Sequence, residues 1–150
     1  IIIAYPTFTT LKKMEVTPKS DLVIEVIGHQ IFWEYRYPRY GINFSEKSLV
    51  VPVNKVITIN TTSVDVIHSW FVPAFGVKID ANPGRINHAW FRAFSTGTYK
   101  GQCAELCGAL HALMYITVKV VSEEEFQAWV EKNKPAPLVP STDPKTKTKI

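Results

Sequence analysis

Short runs of β-branched and aromatic residues, broken by turn residues about every ten positions, set the tightest limit on how this chain can fold. Such runs occupy residues 22–27, between Asp21 and Gly28, then 30–37, 49–53, 56–62 after a turn at Asn54, 64–72 up to Pro73, 87–94 and 115–121. Pro38 with Gly41, and Asn82-Pro83-Gly84 within 80–85, mark turns, and Gly97 opens a further short segment through Tyr99. Two runs alternate: Ala89, Phe91 and Ala93 share one face, and Ile116, Val118 and Val120 point inward. One helix is expected at the end of the domain. Ser122 with Glu125 is a capping-box pair, Phe126, Trp129 and Val130 make the apolar stripe, and Pro135 stops it. The pattern predicts an all-β sandwich or barrel with one short C-terminal helix.

The flanks read differently. Residues 6–21 are polar, hold Pro6, Pro18 and a Lys12-Lys13 pair, and read as a linker. Ile1-Ile2-Ile3-Ala4-Tyr5 is apolar but far short of the roughly 20 residues that span a bilayer. It fits a frayed strand, a pro-segment remnant or the end of a transmembrane helix. No three-part signal peptide is visible. Residues 134–150, rich in Pro, Lys and Thr, are expected to be disordered. The expected division is therefore 1–21 as a membrane-proximal segment and linker, 22–133 as the folded domain and 134–150 as a basic tail.

A sequence that is 46% hydrophobic suits a folded unit, and its formal charge of +4 invites a nucleic-acid reading. Segment by segment that reading fails. Residues 1–131 hold 12 Lys and Arg against 12 Asp and Glu, so the whole excess lies in 132–150. The tail lacks the interleaved aromatics of a single-strand binding groove.

Chemistry concentrates in Cys103-Ala-Glu-Leu-Cys107-Gly-Ala-Leu-His111-Ala-Leu-Met114. Thiolate and thioether sulfurs select copper, and imidazole suits it. The cluster precedes a strand, which places it on a loop held by a rigid sheet. A mononuclear blue-copper site uses one Cys, two His and a weak Met. The second Cys here allows two thiolates to bridge two metals, provided one more ligand comes from elsewhere. His29, His68 and His88 are the candidates, and His68 ends an apolar run 35 residues before Cys103. A Cys103–Cys107 disulfide and a zinc site are the competing readings. The disulfide leaves His111 and Met114 unexplained, and zinc has little use for Met.

These residues resemble the copper A domain of cytochrome c oxidase subunit II. The resemblance rests on Gly101-Gln-Cys-Ala-Glu-Leu-Cys-Gly108 with His111 and Met114, on Asp65-Val-Ile-His-Ser-Trp70, on Lys78-Ile-Asp-Ala-Asn-Pro-Gly-Arg85 and on Gly28-His-Gln30. It implies a cupredoxin-like Greek-key fold. It also implies that Cys103 and Cys107 bridge two coppers, that His68 and His111 bind one each, and that Met114 and the Glu105 carbonyl are weak axial ligands. The Glu105 carboxylate would help bind magnesium where subunit I meets the domain. Glu105 separates the oxidase from the similar domain of nitrous oxide reductase, which carries a different residue there. Quinol oxidase subunit II lacks the cysteines.

The implied activity is electron uptake from cytochrome c and delivery to haem in subunit I, the haem and copper B subunit, where oxygen is reduced to water. The chain would thus be one subunit of a respiratory-chain translocase, alongside other oxidase subunits. It would sit on the intermembrane-space or periplasmic side of the mitochondrial inner membrane or the bacterial cell membrane. The family's electron-accepting Trp is replaced here by Ile31, so Phe32 and Trp33 are the candidates for that task. Asp65 is the one acidic residue that the resemblance places for docking a basic cytochrome.

Overall fold

The computed structural model describes residues 1–45 and 48–135. Among them, ten strands form two five-stranded sheets. The strands are β1 (Leu22–His29), β2 (Phe32–Tyr37), β3 (Ile42–Ser45), β4 (Leu49–Pro52), β5 (Val56–Ser63), β6 (His68–Val72), β7 (Val77–Ala81), β8 (Asn87–Arg92), β9 (Gly97–Cys103) and β10 (Tyr115–Val121). One sheet has the order β3-β2-β1-β5-β8 and the other β4-β10-β9-β6-β7. The β1–β5 and β4–β10 pairs are parallel and the rest antiparallel. The chain crosses repeatedly between sheets, as after β3, β5 and β8, in the manner of the Greek-key cupredoxin sandwich expected above.

Alternation drives this packing. Ile24, Val26, Tyr35, Ile57 and Ile59 of one sheet meet Val51, Trp70, Val72, Ile116 and Val118 of the other in a single buried core. Helix α2 (Glu123–Asn133) closes one end. Both halves of its capping box are made: Glu125 N donates to Ser122 Oγ (3.1 Å) and Ser122 N to Glu125 Oε2 (3.0 Å). Phe126 and Val130 are buried, and Trp129 lies 5.0 Å from the Tyr37 ring. The buried Tyr37 hydroxyl both donates to Val50 O and accepts from Val50 N, each at 2.9 Å, and so fastens β2 to β4.

Three local expectations change. Helix α1 (Ala4–Glu15) runs from the apolar start into the polar stretch read as linker; it buries no residue and has no side-chain cap. Its first two turns lack any charge and its last carries Lys12 and Lys13, favourable at a helix C-terminus, while Pro6 sits in the first turn where its missing N–H costs little. Strands β3 and β7 come from stretches with no strand signal of their own; each pairs along one neighbour at a sheet edge. The run 64–72 is a strand only from His68 onward. Val64, Val66 and Ile67 are exposed in the β5–β6 loop because Ser63 and Asp65 turn the backbone there: Val66 N donates to Asp65 Oδ1 (2.6 Å) and Asp65 N to Ser63 Oγ (3.2 Å). No helix among the described residues is long and apolar enough to cross a membrane. The reading of 134–150 as disordered falls almost wholly outside the described residues.

Candidate metal centre

At the end of the sandwich opposite α2, β1 and β9 finish while β6 and β10 begin. Trp70 of β6 lies opposite Cys103 of β9, and Ala104 N donates to Ser69 O (2.9 Å). Cys103 N donates to Met114 O (3.0 Å), which closes the loop between them at its base. Within the loop a single 3-10 turn, His111–Leu113, is held by His111 N to Gly108 O (3.1 Å) and Met114 N to His111 O (3.2 Å). The sheet thus fixes Cys103 and Met114, and the turn fixes His111 between them.

Five side chains converge here. Cys103 Sγ lies 3.9 Å from His68 Nδ1, and Cys107 Sγ lies 3.4 Å from His111 Nδ1. The two sulfurs are 3.9 Å apart and both thiols are free. Met114 Sδ is 3.8 Å from Cys107 Sγ, and the Glu105 carbonyl is 3.3 Å from Cys103 Sγ. His68 and Met114 are fully buried, and the two cysteines are 3% exposed. His68, Cys103 and Cys107 place their ligand atoms within 4.8 Å of one another. Each thiol therefore has its own imidazole on one side and shares the other thiol, a soft donor set suited to copper. Two metal–thiolate bonds of about 2.3 Å each can span the 3.9 Å gap at an angle, so the residues fit metal held between the sulfurs.

The protonation pattern fits the same use. Burial, then the adjacent Cys103 sulfur, pushes the Cys107 thiol up to about 11. A metal binding there must displace that proton. His68 Nε2 faces Asp65 Oδ1 at 2.8 Å. A carboxylate only accepts, so Nε2 carries the hydrogen and Nδ1 presents its lone pair to the thiols. Burial opposes ionisation of Asp65, but hydrogen bonds from His68, the Gln30 and Val66 N–H groups and the Ser63 hydroxyl outweigh it and hold its pKa down at about 2.

The other predicted residues sit around this group. Trp33 is buried in an edge-type contact with the His68 ring, centroids 5.8 Å apart. Phe32 stacks on His29 at 4.4 Å. A cleft of about 400 Å³ joins Phe32 and Trp33 to Ile31, Leu113 and Tyr115. The Asp65 carboxylate is engaged with His68 and Gln30 N. The Glu105 side chain lines a polar recess of about 540 Å³ with Lys78, Asp80, Asn82, Arg85 and Asn87. His29 and His88 lie elsewhere, paired with Glu34 (3.0 Å) and Asn60 (2.8 Å). Two residues gain a reason that sequence did not supply. A Cβ on Gly28 would lie 2.7 Å from His68 Cδ2, so the absence of a side chain there seats the imidazole. Gln30 Nε2 donates to Cys107 O (2.6 Å) across 77 residues of sequence, a contact with no local signal.

Comparison with known proteins agrees with this arrangement. The family model for the periplasmic domain of cytochrome c oxidase subunit II matches residues 42–121. Cytochrome c oxidase subunit 2 of Cereibacter sphaeroides is 39% identical over 87% of this chain and 56% of its own length. Probable cytochrome c oxidase subunit 2 of Rickettsia prowazekii is 43% identical over 91% of this chain and 50% of its own. The chain thus spans about half the length of the curated relatives it matches. The crystal structure of the periplasmic domain of subunit II of cytochrome oxidase (CoxB) of Bradyrhizobium japonicum superposes with a TM-score of 0.78 at 46% identity, over 79% of this chain and 97% of that one. With the family model matching more than half of its residues and the thiol–imidazole group in place, this chain belongs to the cytochrome c oxidase subunit II family.

Proposed function

We propose that this chain is the electron-accepting domain of a haem–copper oxidase, with a dinuclear copper A centre held by His68, Cys103, Cys107, His111, Met114 and the Glu105 carbonyl. The observation that carries the reading is the paired arrangement of one imidazole on each of two thiols 3.9 Å apart. Copper held by these residues would supply reversible one-electron transfer. The chain's own residues keep the change small. Sheet hydrogen bonds anchor Cys103 and Met114, Asp65 fixes the His68 tautomer, and burial excludes water.

The donor is proposed to be a cytochrome c that docks on the loop face. Residues 106–118 carry no acidic or basic side chain apart from His111, and Leu106, Leu110, Leu113 and Tyr115 are exposed there beside Ile31. With Asp65 engaged internally, the contact is more apolar than charged, and association depends weakly on salt. Phe32 lines the cleft, and Trp33 continues it to the His68 ring. Electrons pass on to haem in subunit I. The recess at Glu105 is the proposed magnesium site and subunit I contact. Residues 22–133 form the copper domain, and residues 1–21 lead towards the membrane on the periplasmic or intermembrane-space side.

Copper analysis with electron paramagnetic resonance of the oxidised protein tests the centre. Two coppers per chain and a seven-line hyperfine pattern are expected, reduced to no such pattern in Cys103→Ser. One copper with four lines in the wild type overturns the dinuclear reading in favour of a mononuclear carrier.

A further inference from the structure

The metal-binding side chains lie on or beside two loops: the β5–β6 loop, which leads into His68, and the β9–β10 loop, which carries Cys107 and His111. A third segment touches both. Gln30, at the β1–β2 turn, donates its side-chain amide to the Cys107 carbonyl (2.6 Å) and its backbone N–H to Asp65 Oδ2 (2.6 Å). The other oxygen of Asp65 accepts from His68 Nε2 (2.8 Å). One residue therefore links the Cys107 backbone to the His68 ring through a continuous hydrogen-bonded chain.

The surroundings leave this chain little room to shift. On the His68 side, the imidazole is pressed against Gly28, two residues before Gln30, where an added Cβ would stand 2.7 Å from the ring. On the cysteine side, Gly108 has φ +137°, and an added Cβ would stand 3.0 Å from Gln30 Nε2. Gly28, in β1, flanks the link at its His68 end, and Gly108, in the β9–β10 loop, at its Cys107 end. Asp65 is further held by Val66 N (2.6 Å), so it cannot swing away from Gln30 without also losing that bond.

We propose that Gln30 is a positioning residue of the metal centre, which locks the His68 loop and the Cys107–His111 loop into one frame. Its side chain sets where the Cys107 sulfur stands relative to His68 before any metal arrives. It does so by bonding to the Cys107 carbonyl and binds no metal itself. The frame keeps the two halves of the site from moving independently, both when metal binds and when an electron arrives. The inference rests on the copper A reading for its metal readouts only.

The test compares Gln30→Met, near in volume but without a donor, and Gln30→Glu, near in shape with an acceptor facing the carbonyl. Both keep the backbone N–H to Asp65. In the metal-free chain, amide hydrogen exchange is expected to rise about fivefold or more across 104–114 and also across 64–68, the equivalent of one net hydrogen bond. In the copper-loaded chain, release to a chelator should quicken about 10–100-fold, as for other groups that orient metal ligands, with altered hyperfine splitting and a shifted reduction potential. Asp65→Asn combined with Gln30→Met should give less than the sum of the single effects if both act in one chain of bonds. Thermal unfolding of each variant checks that the sandwich persists. Unchanged exchange in Gln30→Met, or a change confined to 28–32, overturns the proposal, as does strict additivity. If the wild type fails to bind two coppers, the copper A reading fails, and exchange in the metal-free protein still decides whether the frame exists.

Discussion

The two ends of the sandwich are held by different forces. At the α2 end, apolar surface dominates: Phe126, Val130 and the Tyr37–Trp129 contact close the core, and the buried Tyr37 hydroxyl is paired with Val50. At the metal end, buried thiols, a fully buried histidine and an engaged carboxylate occupy the space, while large apolar side chains such as Leu106 and Tyr115 face outward. One end follows the ordinary inside–outside rule, and the other combines buried ligand groups with exposed apolar side chains. The difference shows that stability and function are separated along the strand axis. The α2 end supplies the burial that holds the sheets together, and the metal end places polar ligands where a metal, not packing, completes them.

That comparison is sharpened first by Phe126→Ala. Emptying its buried site should cost about 3–5 kcal/mol, read as a lower denaturant midpoint, while the copper spectrum of the folded fraction stays the same. A changed spectrum would break the separation. Next comes pH. Burial and the adjacent Cys103 sulfur push the Cys107 thiol up to about 11 from its ordinary value of 9.0. Its neutral form therefore adds stability that is complete below pH 9 and is lost as pH rises through 11. Metal-free protein should lose stability over that window. Copper-loaded protein, with the proton already displaced, should not. Parallel urea titrations at pH 8 and 11 check this.

Gly28→Ala tests the metal end by steric means. Its methyl group would meet the His68 ring, and overpacking of this kind costs about 1–3 kcal/mol. Most of the loss should appear as faster copper release and altered hyperfine splitting; a purely thermal effect would contradict the seating role. The smallest effect is expected for Ser122→Ala, which removes half of the capping box. It should cost about 1 kcal/mol in chemical unfolding and leave copper binding untouched.

Much of the fold was legible because its cause is local. Alternation in 115–121 put Ile116, Val118 and Val120 inward, and Ser122 with Glu125 announced α2. Strands β3 and β7 were not legible, since their pairing comes from β2 and β6 and not from their own residues. Helix α1 was missed for the opposite reason: its stretch lacks the apolar stripe and cap that mark a helix in sequence, and the structure buries none of it. At the site, Cys103, Cys107, His111 and Met114 declared themselves through spacing on one loop. His68 was favoured among the candidate histidines by its place at the end of an apolar run, and the resemblance gave it its role. Gln30 could be quoted as part of a motif, but its task depends on a bond to a carbonyl far along the chain.

The sequence by itself determined the all-β class, the capped helix and the soft donor set, because these follow from side-chain chemistry and short-range periodicity. Only the tertiary structure decided that Asp65 turns inward to His68, that Gly28 makes room for the ring and that Gln30 joins the two loops. Those relations depend on which strands become neighbours, and neighbours are chosen by how two whole sheets bury their apolar faces against each other.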